Sequence, residues 1–237
     1  MKITMLVAAF LALFTPTNTS TTPVAFDHTA WDTLLKTHVS SAGKVNYEGF
    51  KTDKAKLDTY LDLLKNSAPQ STWSKEEQLA YWINAYNAFT VKLILDNPSV
   101  KSIKDLHGGK PWDVKWIKIG TKTYSLNGIE NDIIRLQFKE PRIHFAVNCA
   151  AKSCPPLLNK AWTAQNLNTN LEQQTKLFIN NTKFNQITAN EIKVSKIFEW
   201  YGSDFGNLID YLNKYSSVKI NAKAKVTFID YNWALNN

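Results

Sequence analysis

Cysteine is scarce in this chain, which has only two, Cys149 and Cys154, among 237 residues. Two cysteines cannot build the disulfide framework of a small secreted domain, so a hydrophobic core has to provide the stability. Neither cysteine lies near the apolar run at the N-terminus, which argues against a lipid anchor at that point.

Long apolar runs are also scarce. The run Ile3–Phe14 follows Lys2 and precedes small polar residues, which is typical of a secretory signal peptide. It is shorter than the roughly 20 residues that span a bilayer, and no later stretch comes closer to that length. We therefore predict a signal peptide over residues 1–20, one domain over residues 21–237, no stable membrane insertion, and a secreted or periplasmic protein.

Acidic residues are in the minority, with 20 against 28 basic ones and a net charge of +8. The basic residues are spread over the whole chain, whereas nucleic-acid binders usually concentrate them on one face or arm. We therefore predict no nucleic-acid partner. The chain also lacks internal repeats, which favours a single domain.

The most apolar segment after the N-terminus is LAYWINAYNAFTVKLIL, residues 79–95. It is apolar on nearly every side, which is typical of a helix buried at the centre of a domain. Alternating segments predict hairpins at residues 114–124 and 184–194, and a closing strand at residues 225–230. The predicted fold is α+β, a single domain whose buried central helix packs against a small, mostly antiparallel sheet.

Polar residues on the central helix form a stripe. Glu77, Asn84 and Asn87 are spaced i, i+7 and i+10, beside Tyr81, so they share one face. Buried polar side chains either satisfy hydrogen bonds or line a cavity. Glu77 also ends a capping box that begins at Ser74, which gives it a structural role as an alternative to a catalytic one. Glu130 has the same alternative, because Asn127 precedes it by three residues.

The candidate site is PRIHFAVNCAAKSCPP, residues 141–156, which holds both cysteines and His144. Residues 142–147 read as a buried strand, and the small residues that follow permit a turn at Asn148. Four interpretations remain open: a thiol nucleophile paired with His144, a disulfide, two buried small hydrophobes, and a zinc site through His144 and the cysteines. The first is the leading one, with no metal or cofactor, and Cys154 is the alternative to Cys149 as nucleophile.

Five motifs resemble an exported bacterial family catalogued as domain of unknown function 547. They are WDTLLKTHVSSAGKVNYEGF, EQLAYWINAYNAFT, YSLNGIENDIIR, PRIHFAVNCAAKSCPPL and YNWALN. The resemblance covers residues 26–236. It implies similarity to papain-like or transglutaminase-like thiol enzymes with a Glu-His-Cys set, placed here on Glu77 or Glu130, His144 and Cys149.

The leading functional hypothesis is a thiol hydrolase or acyl transferase acting on an amide of a peptide-like or cell-wall substrate. In it Cys149 attacks, His144 moves the proton, and Glu77 orients the imidazole, with Glu130 as its rival. Backbone N–H groups near Ala150 would stabilise the oxyanion, and Tyr81, Asn84 and Asn87 would line the pocket. The alternative is a non-catalytic peptide- or glycan-binding module that uses aromatic side chains, such as Trp112, Trp116, Trp200 and Tyr201.

Overall fold

The computed structural model describes residues 25–237, so the predicted signal peptide lies outside the described residues. The N-terminal part contains helices α1 to α4, which are Thr29–His38, Tyr47–Thr52, Lys54–Asn66 and Lys75–Leu95. The middle part contains short 3₁₀ turns between residues 103 and 113, strands β1 (Ile117–Ile119) and β2 (Lys122–Tyr124), a π-helix (Gly128–Phe138) and a 3₁₀ helix (Pro141–Phe145). The C-terminal part contains α5 (Leu167–Ile179), β3 (Gln186–Ile187), β4 (Glu191–Ser195), α6 (Ile197–Trp200), α7 (Gly202–Phe205), α8 (Leu208–Asn213) and β5 (Lys225–Ile229).

Helix α4 is buried, as predicted, and it is the central helix of the N-terminal cluster. Every residue from Leu79 to Leu95 except Lys92 is buried. The helix begins with the predicted capping box, in which Ser74 and Glu77 bond reciprocally. Within residues 25–237, no helix combines the length and the apolar character needed to cross a membrane.

The prediction that α4 packs against a sheet is wrong, because it packs mainly against α2, α3 and the π-helix. Its 21 residues span about 32 Å at about 1.5 Å per residue. Strands β1 and β2 have three residues each and span only about 10 Å at about 3.3 Å per residue. A helix that is apolar on all sides therefore needs neighbouring helices to cover it.

The strands form two separate small sheets. Strands β1 and β2 make the predicted hairpin, and β3 and β4 make the second one. Strand β5 joins β4 in parallel, so that two of the three strand pairings in the described part of the chain are antiparallel. Together with the helices, these sheets give the predicted α+β class.

The predicted strand over residues 142–147 is wrong, because residues 141–145 form a 3₁₀ helix. Pro141 occupies its first turn, and the Glu140 side chain accepts a hydrogen bond from the Arg142 N–H. Proline at the start and a capping acceptor favour a helical turn, and a short apolar run alone cannot distinguish the two structures. As a result Ile143 and Phe145 do not share one face of a strand.

These two residues instead belong to different hydrophobic clusters. Ile143 packs in the cluster built around α1 to α4, and Phe145 packs in the cluster around α5, β4 and α6 to α8. His144 lies between them in the chain and is buried, with 2% of its surface exposed. The boundary between the two clusters therefore passes through the predicted site.

Candidate functional site

The cysteine segment, residues 146–156, turns sharply after the 3₁₀ helix Pro141–Phe145. Ala150 has a φ of +62°, a left-handed conformation that is uncommon outside glycine. The turn is held by Asn148, whose Oδ1 accepts the Ala150 N–H at 2.9 Å and whose Nδ2 donates to the Pro155 carbonyl at 2.8 Å. This turn brings Cys149 back to Cys154.

Cys149 and Cys154 form a disulfide, which is one of the four interpretations that the sequence left open. Neither cysteine is a free thiol in this structure, and the proposed nucleophile is therefore oxidised. Cys149 is partly exposed and lies 3.1 Å from the hydroxyl of Tyr231, whereas Cys154 is only 5% exposed. Within residues 25–237, no three His, Cys, Asp or Glu side chains are grouped as metal ligands would be.

The backbone N–H groups expected to form an oxyanion site are already bonded. The Ala150 N–H donates to Asn148, and the Cys149 N–H donates to the Cys154 sulfur at 2.7 Å. The Lys152 and Ser153 N–H groups donate to carbonyls of the C-terminal segment. These four N–H groups are therefore not open to an oxyanion in the oxidised state.

His144 is oriented by a carboxylate that the sequence analysis did not identify. Its Nε2 lies 2.8 Å from Asp204 Oδ2, and Arg135 grips the same carboxylate through two hydrogen bonds of 2.6 and 2.7 Å. The Arg135 contact, helped by His144, lowers the pKa of Asp204 to about 2. Burial lowers the pKa of His144 although Glu130 and Asp204 oppose this shift, so the imidazole is neutral at pH 7. The ring also stacks on Tyr201, with centroids 4.0 Å apart.

The two predicted glutamates have different surroundings. Glu77 bonds to the backbone and side chain of Ser74 in the capping box and has no contact with His144. Glu130 makes no such box, since the Asn127 side chain forms no cap hydrogen bond. Glu130 is 5% exposed, and its carboxylate accepts a hydrogen bond of 2.7 Å from Tyr201. Only Glu130 is therefore placed beside the cysteine segment.

Tyr81, Asn84 and Asn87, the predicted pocket residues on α4, instead form hydrogen bonds with backbone groups of other segments. Asn84 accepts from the Trp162 N–H and donates to its carbonyl, at 3.0 and 2.7 Å. Asn87 does the same across the turn, donating to the Ala146 carbonyl and accepting from the Asn148 N–H. Tyr81 donates to the Leu64 carbonyl at 2.6 Å. These three side chains do not line the pocket, and Tyr86 takes that position on α4.

A pocket of about 620 Å³, counting the part open to solvent, lies at the boundary of the two clusters. Its polar lining includes Glu130, His144 and the disulfide. Six aromatic side chains surround these groups: Tyr86, Trp112, Trp200, Tyr201, Tyr231 and Trp233. The mixture of aromatic walls with a few polar groups is typical of small-molecule sites.

Three of the four aromatic residues named from the sequence line this pocket, namely Trp112, Trp200 and Tyr201. Trp116 instead packs edge-on against Phe89 in the core. Tyr231 and Trp233 were missed, although the terminal motif YNWALN contains both and could have drawn attention to them. Asp204 carries no comparable signal in the sequence.

Comparison with known proteins gives one family. No curated protein and no solved structure matches the chain. Residues 70–179 match the family described as "Protein of unknown function, DUF547". This segment contains α4, the π-helix, the cysteine segment and α5, whereas Asp204 and the C-terminal aromatic residues lie beyond it. The match to residues 70–179 supports the family that the sequence motifs resemble, domain of unknown function 547.

Proposed function

We propose that the protein is an exported binding module that holds part of a peptide or glycan in the aromatic pocket. The observation that carries this proposal is the set of six aromatic side chains around an open pocket. The disulfide and the bonded N–H groups also favour binding over thiol catalysis in the oxidised protein.

The rim of the pocket is formed by rings that are available to a ligand. Trp200 is 47% exposed, which is unusual for so large an apolar side chain. It stacks against Trp233 with centroids 5.8 Å apart, and Tyr231 lies against both rings at 4.8 and 4.5 Å. Trp200 is exposed and the other two rings are partly buried, so the group offers a ligand one exposed face that continues into the pocket.

Replacing Trp200 by alanine is expected to weaken ligand binding roughly tenfold or more, since aromatic anchors in pockets carry a large share of binding free energy. The test is calorimetric titration of residues 21–237 with choline, the peptide acetyl-Gly-Lys-Gly-amide, muramyl dipeptide and N-acetylchitotetraose. The matched control is Trp73→Ala, because Trp73 is a partly buried tryptophan that does not line this pocket. If none of the four probes binds, or if both variants lose affinity equally, the binding proposal is wrong.

A second candidate function is thiol catalysis in the reduced protein. It is favoured by one observation: His144 is held by Asp204 through Nε2, and His144 and Cys149 line the same pocket. A carboxylate that orients an imidazole near a thiol is the arrangement that nucleophilic catalysis requires. Asp204 replaces both glutamates as the orienting group in this version of the hypothesis.

Alkylation with iodoacetamide tests this second candidate. We expect no labelling without reductant, and after reduction faster labelling of Cys149 than of Cys154, because Cys154 is only 5% exposed. If His144 activates the thiol, Cys149 reacts well below the usual thiol pKa of about 8.5, and His144→Gln removes this reactivity. Labelling with an ordinary thiol pH profile, unchanged in His144→Gln, would leave only the binding function.

A further inference from the structure

The charged groups that lie nearest to Glu130, which are His144, Arg135 and Asp204, do not balance its charge. Asp204 is neutralised by Arg135, whose Nε and Nη2 bond to it while Nη1 bonds to Asn131. His144 adds no positive charge at pH 7 because burial lowers its pKa. Glu130 has no Lys, Arg or His within salt-bridge distance in the described part of the chain. The cluster therefore holds one more carboxylate than cations.

The Glu130 carboxylate is buried, where an unpaired charge has a high desolvation free energy. Glu130 is 5% exposed, and its carboxylate has only neutral hydrogen-bond partners among the described residues, namely the Tyr201 hydroxyl at 2.7 Å and the Tyr86 hydroxyl. Burial and the charge of Glu130 raise the pKa values of Tyr86 and Tyr201 far above the usual range of tyrosine, so both phenols stay neutral. Buried carboxylates are usually paired with a cation or coordinate one, because their desolvation is otherwise not compensated.

The walls around Glu130 suit an organic cation. The faces of Trp and Tyr rings attract ammonium groups, and cages of such rings recognise quaternary ammonium ligands. The protein provides two internal examples of this attraction. Lys104 Nζ lies 5.1 Å from the ring centroid of Trp233, and the Arg135 guanidinium lies 4.8 Å from that of Tyr201.

We infer that the pocket binds an alkylammonium group, with Glu130 as its counter-charge and the surrounding tryptophan and tyrosine rings as its walls. This inference rests on the proposed binding function and specifies the ligand's chemistry. The ammonium group can belong to a lysine side chain, to a choline-like headgroup or to an amino sugar. All three share a positive charge on an aliphatic carrier, which is the feature that the pocket complements.

The test compares choline with its neutral carbon isostere, 3,3-dimethylbutan-1-ol, by calorimetric titration of residues 21–237. The two probes have nearly the same shape, so a difference in affinity reports the charge. We expect choline to bind at least tenfold more tightly. Glu130→Gln is expected to remove this difference, while Glu77→Gln, which changes a glutamate of the capping box, is expected to preserve it.

Two outcomes separate this inference from the proposal on which it rests. If the two probes bind equally well, or if only the peptide, muramyl dipeptide or glycan probe binds, the inference is wrong and the binding function stands. If none of these probes binds, the binding function itself is wrong. The comparison of the two probes needs no variant, so it decides the matter even if Glu130→Gln fails to fold.

The source of the ammonium group is decided by a second series of probes. Acetyl-trimethyllysine amide, acetyl-lysine amide and glucosamine represent a methylated side chain, an unmodified side chain and an amino sugar. Preference for a lysine derivative over choline and glucosamine would assign a peptide ligand. Preference for glucosamine would assign a glycan.

Discussion

Replacing Asn87 by alanine is expected to lower the free energy of unfolding by about 3 kcal/mol, because it leaves two buried backbone groups without partners at about 1–3 kcal/mol each. Asn87 is 2% exposed, donates to the Ala146 carbonyl at 3.0 Å and accepts from the Asn148 N–H at 2.8 Å. No other side chain in the structure bonds to these two groups, so alanine leaves both unsatisfied. Urea denaturation of both proteins measures the difference.

Asn97→Ala is the matched control. Asn97 follows the end of the same helix and donates to the Leu93 carbonyl, but it is only partly buried. Water can replace its hydrogen bond, so a loss of less than about 1 kcal/mol is expected. Equal losses in the two variants would show that Asn87 does not hold the turn in place.

We also expect Asn87→Ala to weaken ligand binding. Asn87 accepts a hydrogen bond from the Asn148 N–H, and Asn148 in turn positions the disulfide that lines the pocket.

Lowering the pH from 7 to about 4 is expected to reduce stability by about 3 kcal/mol through His28 alone. Burial lowers the pKa of His28 to about 4, and its ring is bonded to the Tyr60 hydroxyl at 2.7 Å. The unfolded chain takes up this proton near pH 6.5, whereas the folded protein takes it up near pH 4. The unfolded state therefore binds more protons in this interval, and stability falls as the pH falls. His144, with its lowered pKa, contributes in the same direction.

Urea denaturation at pH 7, 5.5 and 4.5 measures this effect in the wild type and in His28→Asn. We expect the variant to lose most of the pH dependence between 6.5 and 4.5 that the wild type shows, and to be less stable at pH 7. His107→Asn is the control, because His107 is exposed. A wild-type stability that stays constant over this interval would contradict the prediction.

Asp204 affects stability at lower pH. Its ionised carboxylate stabilises the folded state above pH 4, and this contribution is lost as the pH falls toward its folded-state pKa of about 2.

Local patterns predicted the elements but not their contacts. The all-round apolar segment 79–95 predicted the buried helix α4, and the spacing from Ser74 to Glu77 predicted its capping box. The same spacing from Asn127 to Glu130 was misleading, because the Asn127 side chain makes no cap hydrogen bond and Glu130 lines the pocket. A three-residue spacing permits a capping box but does not require one when a buried alternative is available.

The candidate site was located by its segment rather than by its partners. His144 and Cys149 do line the pocket, yet Asp204 lies 60 positions after His144 and Tyr231 lies 82 positions after Cys149. Helical or strand periodicity cannot predict contacts between residues so far apart in the sequence. These contacts depend on how the two hydrophobic clusters pack together. The polar stripe on α4 illustrates the converse case. Asn84 and Asn87 share a face as the period of the helix requires, but that face meets backbone groups instead of a cavity.

The sequence by itself determined the α+β class, the buried helix α4, both hairpins and the segment that contains the candidate site. Helical and strand periods, caps and turns depend on neighbouring residues, so they can be read locally. Only the tertiary structure decided that Cys149 and Cys154 are joined, that Asp204 orients His144, and that Glu130 lies among aromatic rings with no salt-bridge partner in residues 25–237. These features depend on contacts between residues far apart in the chain, and such contacts form only when the two clusters are packed together.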